Sequence, residues 1–236
     1  MINEITSDQL PEDMKAAYDE WHTYFVDSVN ALGFKPYTGY SGEDKNLLAW
    51  RSKEEFIAWY GQPPGNEPYR DNGFYTRELS WLSLWCNPKI VLEIGTDKGI
   101  GTFLLSRLNS QALIHTLDIK PTVKMPDDSD IETGYFAKEN QFNIIFEQMD
   151  SKDYKLADVD LCFIDGDHSK EAVWNDSLAA WWNRHKARRW VIVWHDYRDG
   201  EEFRGLKTSI HRFSQTVARK PVFKLTDSAT VWMTNE

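Results

Sequence analysis

Two short clusters hold most of the side chains in this chain that could do chemistry. The first is Asp165-Gly166-Asp167-His168-Ser169, directly after the apolar run 159–164. The second is His195-Asp196-Tyr197, directly after the apolar run 190–194. Carboxylates and imidazoles are the groups that hold divalent cations and move protons near neutral pH. Asp165 and Asp196 offer hard oxygen ligands of the kind Mg²⁺ takes, and adding His195 moves the preference toward Mn²⁺, Fe²⁺ or Zn²⁺. For His168 and His195 the plainer alternative is a histidine whose hydrogen bonds are satisfied locally.

A third stretch supplies a ligand loop. Residues 89–101 read Lys-Ile-Val-Leu-Glu-Ile-Gly-Thr-Asp-Lys-Gly-Ile-Gly. Residues 90–94 form a β-branched apolar run, as expected of a buried parallel strand. Gly95, Gly99 and Gly101 then lead into an amphipathic run over 102–108. The spacing is G-x-x-x-G-x-G with Glu93 ahead of it, which is neither the dinucleotide G-x-G-x-x-G nor a phosphate loop, and no lysine is placed for a phosphate. Asp118 lies at the end of the next apolar run, where an acid can accept both hydroxyls of a ribose. Asp150 and Ser151 follow a further run. They suit either an adenine amino group or the cap of a short helix.

These residues all sit where strands should end. Strands are expected over 90–94, 112–119, 142–149, 159–164, 190–194, 222–225 and 230–233. Helices are expected over 76–85, 102–108, 135–141, 170–186 and 201–218, with a polar loop over 121–134. In the helix from 170, Trp174, Leu178, Trp181 and Trp182 share one face, toward a sheet. Leu206, Ile210, Phe213 and Val217 do the same in the helix from 201. Alternating strands and helices imply a doubly wound, mainly parallel α/β sheet, whose ligands sit at the carboxyl ends of the strands.

Ahead of this lies an N-terminal extension. Residues 1–32 read as helical, with Pro11 in the first turn and Gly33 as a stop. A second helix is expected over 53–60, and the Gly/Pro-rich break at 61–68 precedes the boundary between an extension, 1–75, and a catalytic domain, 76–236. The extension would be a lid, a dimer contact or ordinary packing against the domain; the dimer contact would make a homo-oligomer.

The chain has 236 residues, with 27 Lys+Arg against 37 Asp+Glu and a net charge of −10. That balance argues against a nucleic-acid partner, since polyanion binding rests on clustered cations. The one basic run, Arg184-His185-Lys186-Ala187-Arg188-Arg189, reads as the solvated end of a helix. No apolar run approaches a membrane span of about 18 residues, and no signal-peptide pattern opens the chain. Cys86 and Cys162 lack metal-ligand spacing and imply reduced thiols in the cytoplasm. The expected partner is a small-molecule substrate.

Taken together, the motifs are specific. The loop at Gly95–Gly101 resembles motif I of class I S-adenosylmethionine-dependent methyltransferases. Asp-Gly-Asp-His-Ser followed by a helix, a strand and His-Asp resembles the group that joins macrocin-type sugar O-methyltransferases to the so-called cephalosporin hydroxylases. It is more distantly similar to catechol O-methyltransferase, and covers roughly 76–236. The resemblance implies a seven-stranded, Rossmann-like methyltransferase sheet whose last strand inserts antiparallel. It implies cofactor contacts from Glu93, Gly95, Thr96 and Asp118, and cofactor binding by Gly99 and Gly101 of the same loop. It also implies metal ligation by Asp165 and Asp196, and a general base at His168. His195 stands where relatives often carry a second acid, which weakens a Mg²⁺ site and leaves metal dependence open. The expected activity is O-methylation of a small hydroxylated molecule, a sugar or a phenol. The rival readings are a nicotinamide-dependent oxidoreductase, which suits Asp118 but not the glycine spacing, and a non-catalytic binding module on the same fold.

Overall fold

A computed structural model describes residues 2–31, 76–124, 130–138, 143–226 and 228–236. The helix expected over 53–60 and the break at 61–68 lie outside the described residues.

The chain runs β1 (Ile2–Ile5), α1 (Glu12–Ala31), α2 (Thr76–Cys86), β2 (Ile90–Ile94), α3 (Ile100–Leu108), β3 (Leu113–Asp118), β4 (Thr122–Lys124), β5 (Asp130–Glu132), α4 (Tyr135–Lys138), β6 (Ile144–Gln148), β7 (Leu161–Ile164), α5 (Lys170–Asn183), β8 (Val191–Trp194), α6 (Arg204–Phe213), β9 (Val222–Leu225) and β10 (Val231–Thr234). The main sheet has the order β1-β9-β10-β8-β7-β2-β3-β6. It is parallel except for β10, which pairs antiparallel with β8 and β9. The seven strands expected from the sequence are all in it. From β2 the order runs one way through β3 and β6 and the other way through β7, so a crevice opens at the carboxyl ends of β2 and β7.

Apolar layers cover both faces. On one, Leu79, Trp81 and Leu82 of α2 and Leu104 and Leu105 of α3 are buried together with Leu10, Met14 and Trp21. On the other, Val173 and Ala180 of α5 and Leu206, Ile210 and Phe213 of α6 close over β7 and β8. This two-sided cover is why β7 and β8 are apolar at every position.

Four expectations are corrected. Residues 2–5 are not helical; they form β1, an eighth strand parallel to β9 at the sheet edge. It is short, and its middle residues Asn3 and Glu4 face solvent, so an alternating strand pattern never emerges. The loop over 121–134 contains the hairpin β4–β5. Trp182 does not face the sheet and is 67% exposed, whereas the small residues Val173, Ser177 and Ala180 bury the helix against its neighbours. Small side chains let α5 approach β7 and α6 closely; Trp181 packs edge-on against Trp190 and Phe213, and Trp182 turns outward. Finally, the basic run is not a loose solvated end. Arg184 lies 3.3 Å from the Trp181 ring centroid. Arg188 makes two bonds, of 3.0 and 3.1 Å, to the buried Asp160. Arg189 bridges Asp13 and Glu236. Arg188 and Arg189 are committed to protein acids and Arg184 to Trp181, so the run knits the amino end of the sheet.

The division between an extension and a catalytic domain falls where the described residues break off. The described part, residues 2–31, adds a strand to the sheet and side chains to the core. Cys86 and Cys162 are buried free thiols. Among the described residues no helix is long and apolar enough to cross a membrane.

Candidate functional site

The crevice holds a cavity of about 650 Å³. Its wall comes from the turns after β2, β3, β6 and β7 and from the first turns of α5. The turn after β2 begins at Gly95 with φ +102°, and a Cβ there would lie 2.2 Å from the Asp165 carbonyl oxygen. Only glycine lets the ends of β2 and β7 touch in this way. Behind the loop, Glu93 is 1% exposed. It accepts hydrogen bonds from Thr102 Oγ1 and from Thr116 Oγ1, the latter at 2.6 Å. Its other oxygen would meet a Cβ placed on Gly101. Burial pushes this carboxyl up to about 8, against the two hydroxyl bonds that favour its charge.

Of the residues expected to touch a cofactor, Gly95, Asp118, Asp150 and Ser151 line the cavity. Glu93, Thr96, Gly99 and Gly101 do not. Thr96 is buried, with its hydroxyl 2.6 Å from that of Thr116, and Gly99 is the left-handed first cap of α3. They shape the loop from behind. Asp118 is held by the backbone N–H groups of Asp97 and Lys120, each at 2.9 Å, which leaves lone pairs for a ligand. Asp150 accepts from the Lys152 backbone N–H and so caps a short 3₁₀ turn, Ser151–Asp153. Ser151 donates its hydroxyl to Asp176 Oδ1. The capping alternative therefore holds for Asp150 while it also lines the cavity.

The two acidic clusters face each other across β7 and β8, which pair in parallel. His195 Nδ1 lies 2.9 Å from Asp165 Oδ1 and 3.5 Å from Asp196 Oδ2. His168 Nε2 lies 3.2 Å from Asp196 Oδ2, and Arg198 reaches Asp196 Oδ1 at 2.7 Å. Asp165, Asp196 and His195 each offer a ligand atom, and these atoms lie within 4.8 Å of one another. One nitrogen and two carboxylate oxygens at that span fit a single divalent ion of the Mn²⁺, Fe²⁺ or Zn²⁺ kind better than the all-oxygen shell of Mg²⁺. The bond to Asp196 raises the pKa of His168 above its ordinary 6.5, against partial burial. Burial raises Asp196, but the His168 bond and the charges of His195 and Arg198 outweigh it, so the net shift is downward.

Three wall residues escaped the sequence analysis. Ile119, 63% exposed, stands beside Asp118 on the wall; an apolar side chain directly after a strand-end acid was its signal. Asp176 is 6% exposed, on the inner side of α5. Burial pushes its carboxyl up to about 6, against the Ser151 bond. Asp167 also lines the cavity, where the sequence marked it only as part of a cluster.

Comparison with known proteins places this geometry in a family context. Residues 92–197 match a family described as a methyltransferase domain. The fold is similar to the SAH-bound methyltransferase PaMTH1 of Podospora anserina, at 15% identity over 95% of this chain and 97% of that one, TM-score 0.50. It is also similar to an O-methyltransferase from Bacillus cereus in complex with SAH, at 17% identity over 92% and 98%, TM-score 0.49. The MycE methyltransferase of the mycinamycin pathway, in complex with Mg and SAH, matches at 16% identity over 77% and 53%, TM-score 0.48. No curated protein sequence matches. The sheet, with its inserted antiparallel strand, is the Rossmann-like methyltransferase fold.

Proposed function

We propose that this chain is an S-adenosylmethionine-dependent methyltransferase that methylates an oxygen of a small hydroxylated molecule, a sugar or a phenol. One observation carries the choice of cofactor. The cavity wall has seven carboxylates, Asp97, Asp118, Asp150, Asp165, Asp167, Glu171 and Asp176, against two lysines, Lys120 and Lys152, and Lys152 is already paired with Asp150. A nicotinamide cofactor would bring a pyrophosphate into that field with only Lys120 and the paired Lys152 to meet it. S-adenosylmethionine brings a sulfonium and an ammonium, which an acidic wall attracts. Asp118 suits the ribose hydroxyls and Ile119 offers an apolar face beside it.

When bound, S-adenosylmethionine supplies an activated methyl group on sulfur. The chain's own task is to hold an acceptor hydroxyl in line with that methyl and to remove its proton. Positioning of this kind supplies about 7–11 kcal/mol in favourable cases. His168, at the rim of the acidic cluster, takes the proton, and Asp196 then stabilises the imidazolium at 3.2 Å. Asp165, His195 and Asp196 would hold a divalent cation that lowers the pKa of the hydroxyl. The Asp-Gly-Asp-His-Ser and His-Asp motifs support a place beside the macrocin-type O-methyltransferases.

The test is production of S-adenosylhomocysteine from S-adenosylmethionine across a panel of sugars and phenols. The protein is used as purified, after a chelator, and after adding back Mg²⁺, Mn²⁺ or Zn²⁺. Turnover of at least one hydroxylated acceptor is expected, with Mn²⁺ or Zn²⁺ restoring more than Mg²⁺. Turnover confined to amines would contradict O-methylation, and indifference to the chelator would remove the metal.

A further inference from the structure

A second cavity, of about 530 Å³, is lined by the turn after β8, by α6 and by residues of β1 and β9. Its charged lining is Arg198, Lys207 and Lys224 against Glu4 and Asp199, with Tyr197 as an aromatic wall. In a chain of net charge −10, three cations converging on one cavity run against the background. The cations are mostly buried and the acids are not. Lys224 is 16% exposed and Lys207 28%, while Glu4 is 54% exposed and Asp199 fully so. Lys224 Nζ sits 3.5 Å from Glu4, longer than a good charge-assisted hydrogen bond. Lys207 Nζ is paired with Asp199 Oδ1 at 2.5 Å, and both acids are exposed, so a ligand anion would compete with solvent-screened partners for these ammonium groups.

The floor is rigid. The Tyr197 backbone N–H donates to the Ala229 carbonyl at 2.7 Å, and the Tyr197 hydroxyl lies 2.9 Å from His211 Nε2. Lys207 Nζ is held 5.1 Å from the Tyr197 ring centroid. A chain of side-chain contacts connects the two cavities. Asp165 lines the first and lies 2.9 Å from His195; Arg198 lines the second and lies 2.7 Å from Asp196. A molecule held at Lys207 and Lys224 and extending past Arg198 would approach Asp196 and the acidic cluster.

We propose that this second cavity binds the methyl acceptor by an anionic group, a carboxylate or a phosphate, which the acceptor carries away from its reacting hydroxyl. The proposal rests on the methyltransferase reading above and adds the class of its substrate. The charge pattern separates the two ligands: the cationic cofactor goes to the acidic cavity and the anionic acceptor to the basic one.

The experiment is a calorimetric titration of the protein saturated with S-adenosylhomocysteine. The probes are 3,4-dihydroxybenzoate against 3,4-dihydroxybenzamide, glucuronate against glucose, and inorganic phosphate against chloride at equal ionic strength. At least one acid should bind about tenfold or more tighter than its neutral or chloride counterpart. Which pair responds distinguishes carboxylate from phosphate. The double variant Lys207→Gln/Lys224→Gln should lose about tenfold or more in affinity for that acid, with S-adenosylhomocysteine binding unchanged. Lys207→Arg/Lys224→Arg should keep the acid, which separates lost charge from lost structure. Equal binding of acid and counterpart, binding of no acid, or full affinity in the Gln variant would each overturn the proposal. Loss of S-adenosylhomocysteine binding in the wild type would instead overturn the cofactor reading, and the anion titration without it would still read the basic cavity.

Discussion

The two cavities beside the Asp165–His195–Asp196 cluster are opposites. The larger is walled by turns that follow β2, β3, β6 and β7, and its charges are overwhelmingly acidic. The smaller draws on β1, α6 and the ends of β9 and β10, and its charges lean basic. A net charge for the whole chain conceals both. The acidic cavity is assembled from residues at strand ends in a parallel sheet, so the chain order itself brings them together. The basic cavity is assembled from residues at positions 4, 197–199, 207 and 224, which no local motif unites.

Substitutions can break this contrast at different depths. The deepest is Gly95→Ala. A Cβ at φ +102° and 2.2 Å from the Asp165 carbonyl oxygen must push β2 and β7 apart, at a cost of roughly 3 kcal/mol. Urea unfolding should show that loss, and S-adenosylhomocysteine binding should vanish while anion binding at Lys207 and Lys224 persists. Retained cofactor affinity would mean that the acidic cavity does not depend on the contact between the two strand ends.

Next is His168→Ala. Removing a general base should lower turnover by about 10²–10⁴-fold without moving the affinity for S-adenosylhomocysteine, since His168 is not among the residues that wall its cavity. Near-normal turnover would give the base role to another group.

Glu93→Gln sharpens the distinction between wall and support. The folded-state pKa of Glu93 is raised from 4.5 to about 8 by burial. A raised carboxyl adds stability that is fully present below its unfolded value and is lost as pH climbs through its folded value. The wild-type melting temperature should therefore fall as pH rises from about 4.5 to about 8, and the glutamine variant should lack that part of the fall. An identical pH profile for the two proteins would refute the assignment of Glu93 as a buried, largely neutral support for the loop.

The smallest effect is expected at Ile119→Ser. An exposed apolar side chain on the wall should contribute about 1 kcal/mol to cofactor binding, read as a several-fold weaker titration with S-adenosylhomocysteine. Acid binding in the other cavity should not change.

The site was legible where the fold follows the parallel-sheet rule. Gly95, Asp118, Asp150 and Asp165 were found because ligand residues in such sheets follow strands, and the facing of Asp165 by His195 followed from adjacent β7 and β8. Other features were hidden for physical reasons. β1 is an edge strand with two polar residues at its centre, so its pairing with β9 supplies what its pattern lacks. Trp182 obeys the helical period, yet it is turned out because smaller residues make the closer packing. Glu93 reads like a ligand but is buried behind the cavity wall, since a neighbouring glycine can admit a side chain as readily as a cofactor. Lys207 and Lys224 carry no spacing that joins them to Tyr197, and only the folded chain brings them together.

The central claim is that the acidic cavity takes an S-adenosyl cofactor in preference to a pyrophosphate one. A thermal-shift titration with S-adenosylhomocysteine, with NAD in parallel, tests it most directly. At about 100 times its dissociation constant a ligand adds ~2.7 kcal/mol of stability, which for a chain of this size is a rise of roughly 5–10 °C. The account predicts that rise with S-adenosylhomocysteine and none with NAD. A rise with NAD alone, or with neither, would contradict it.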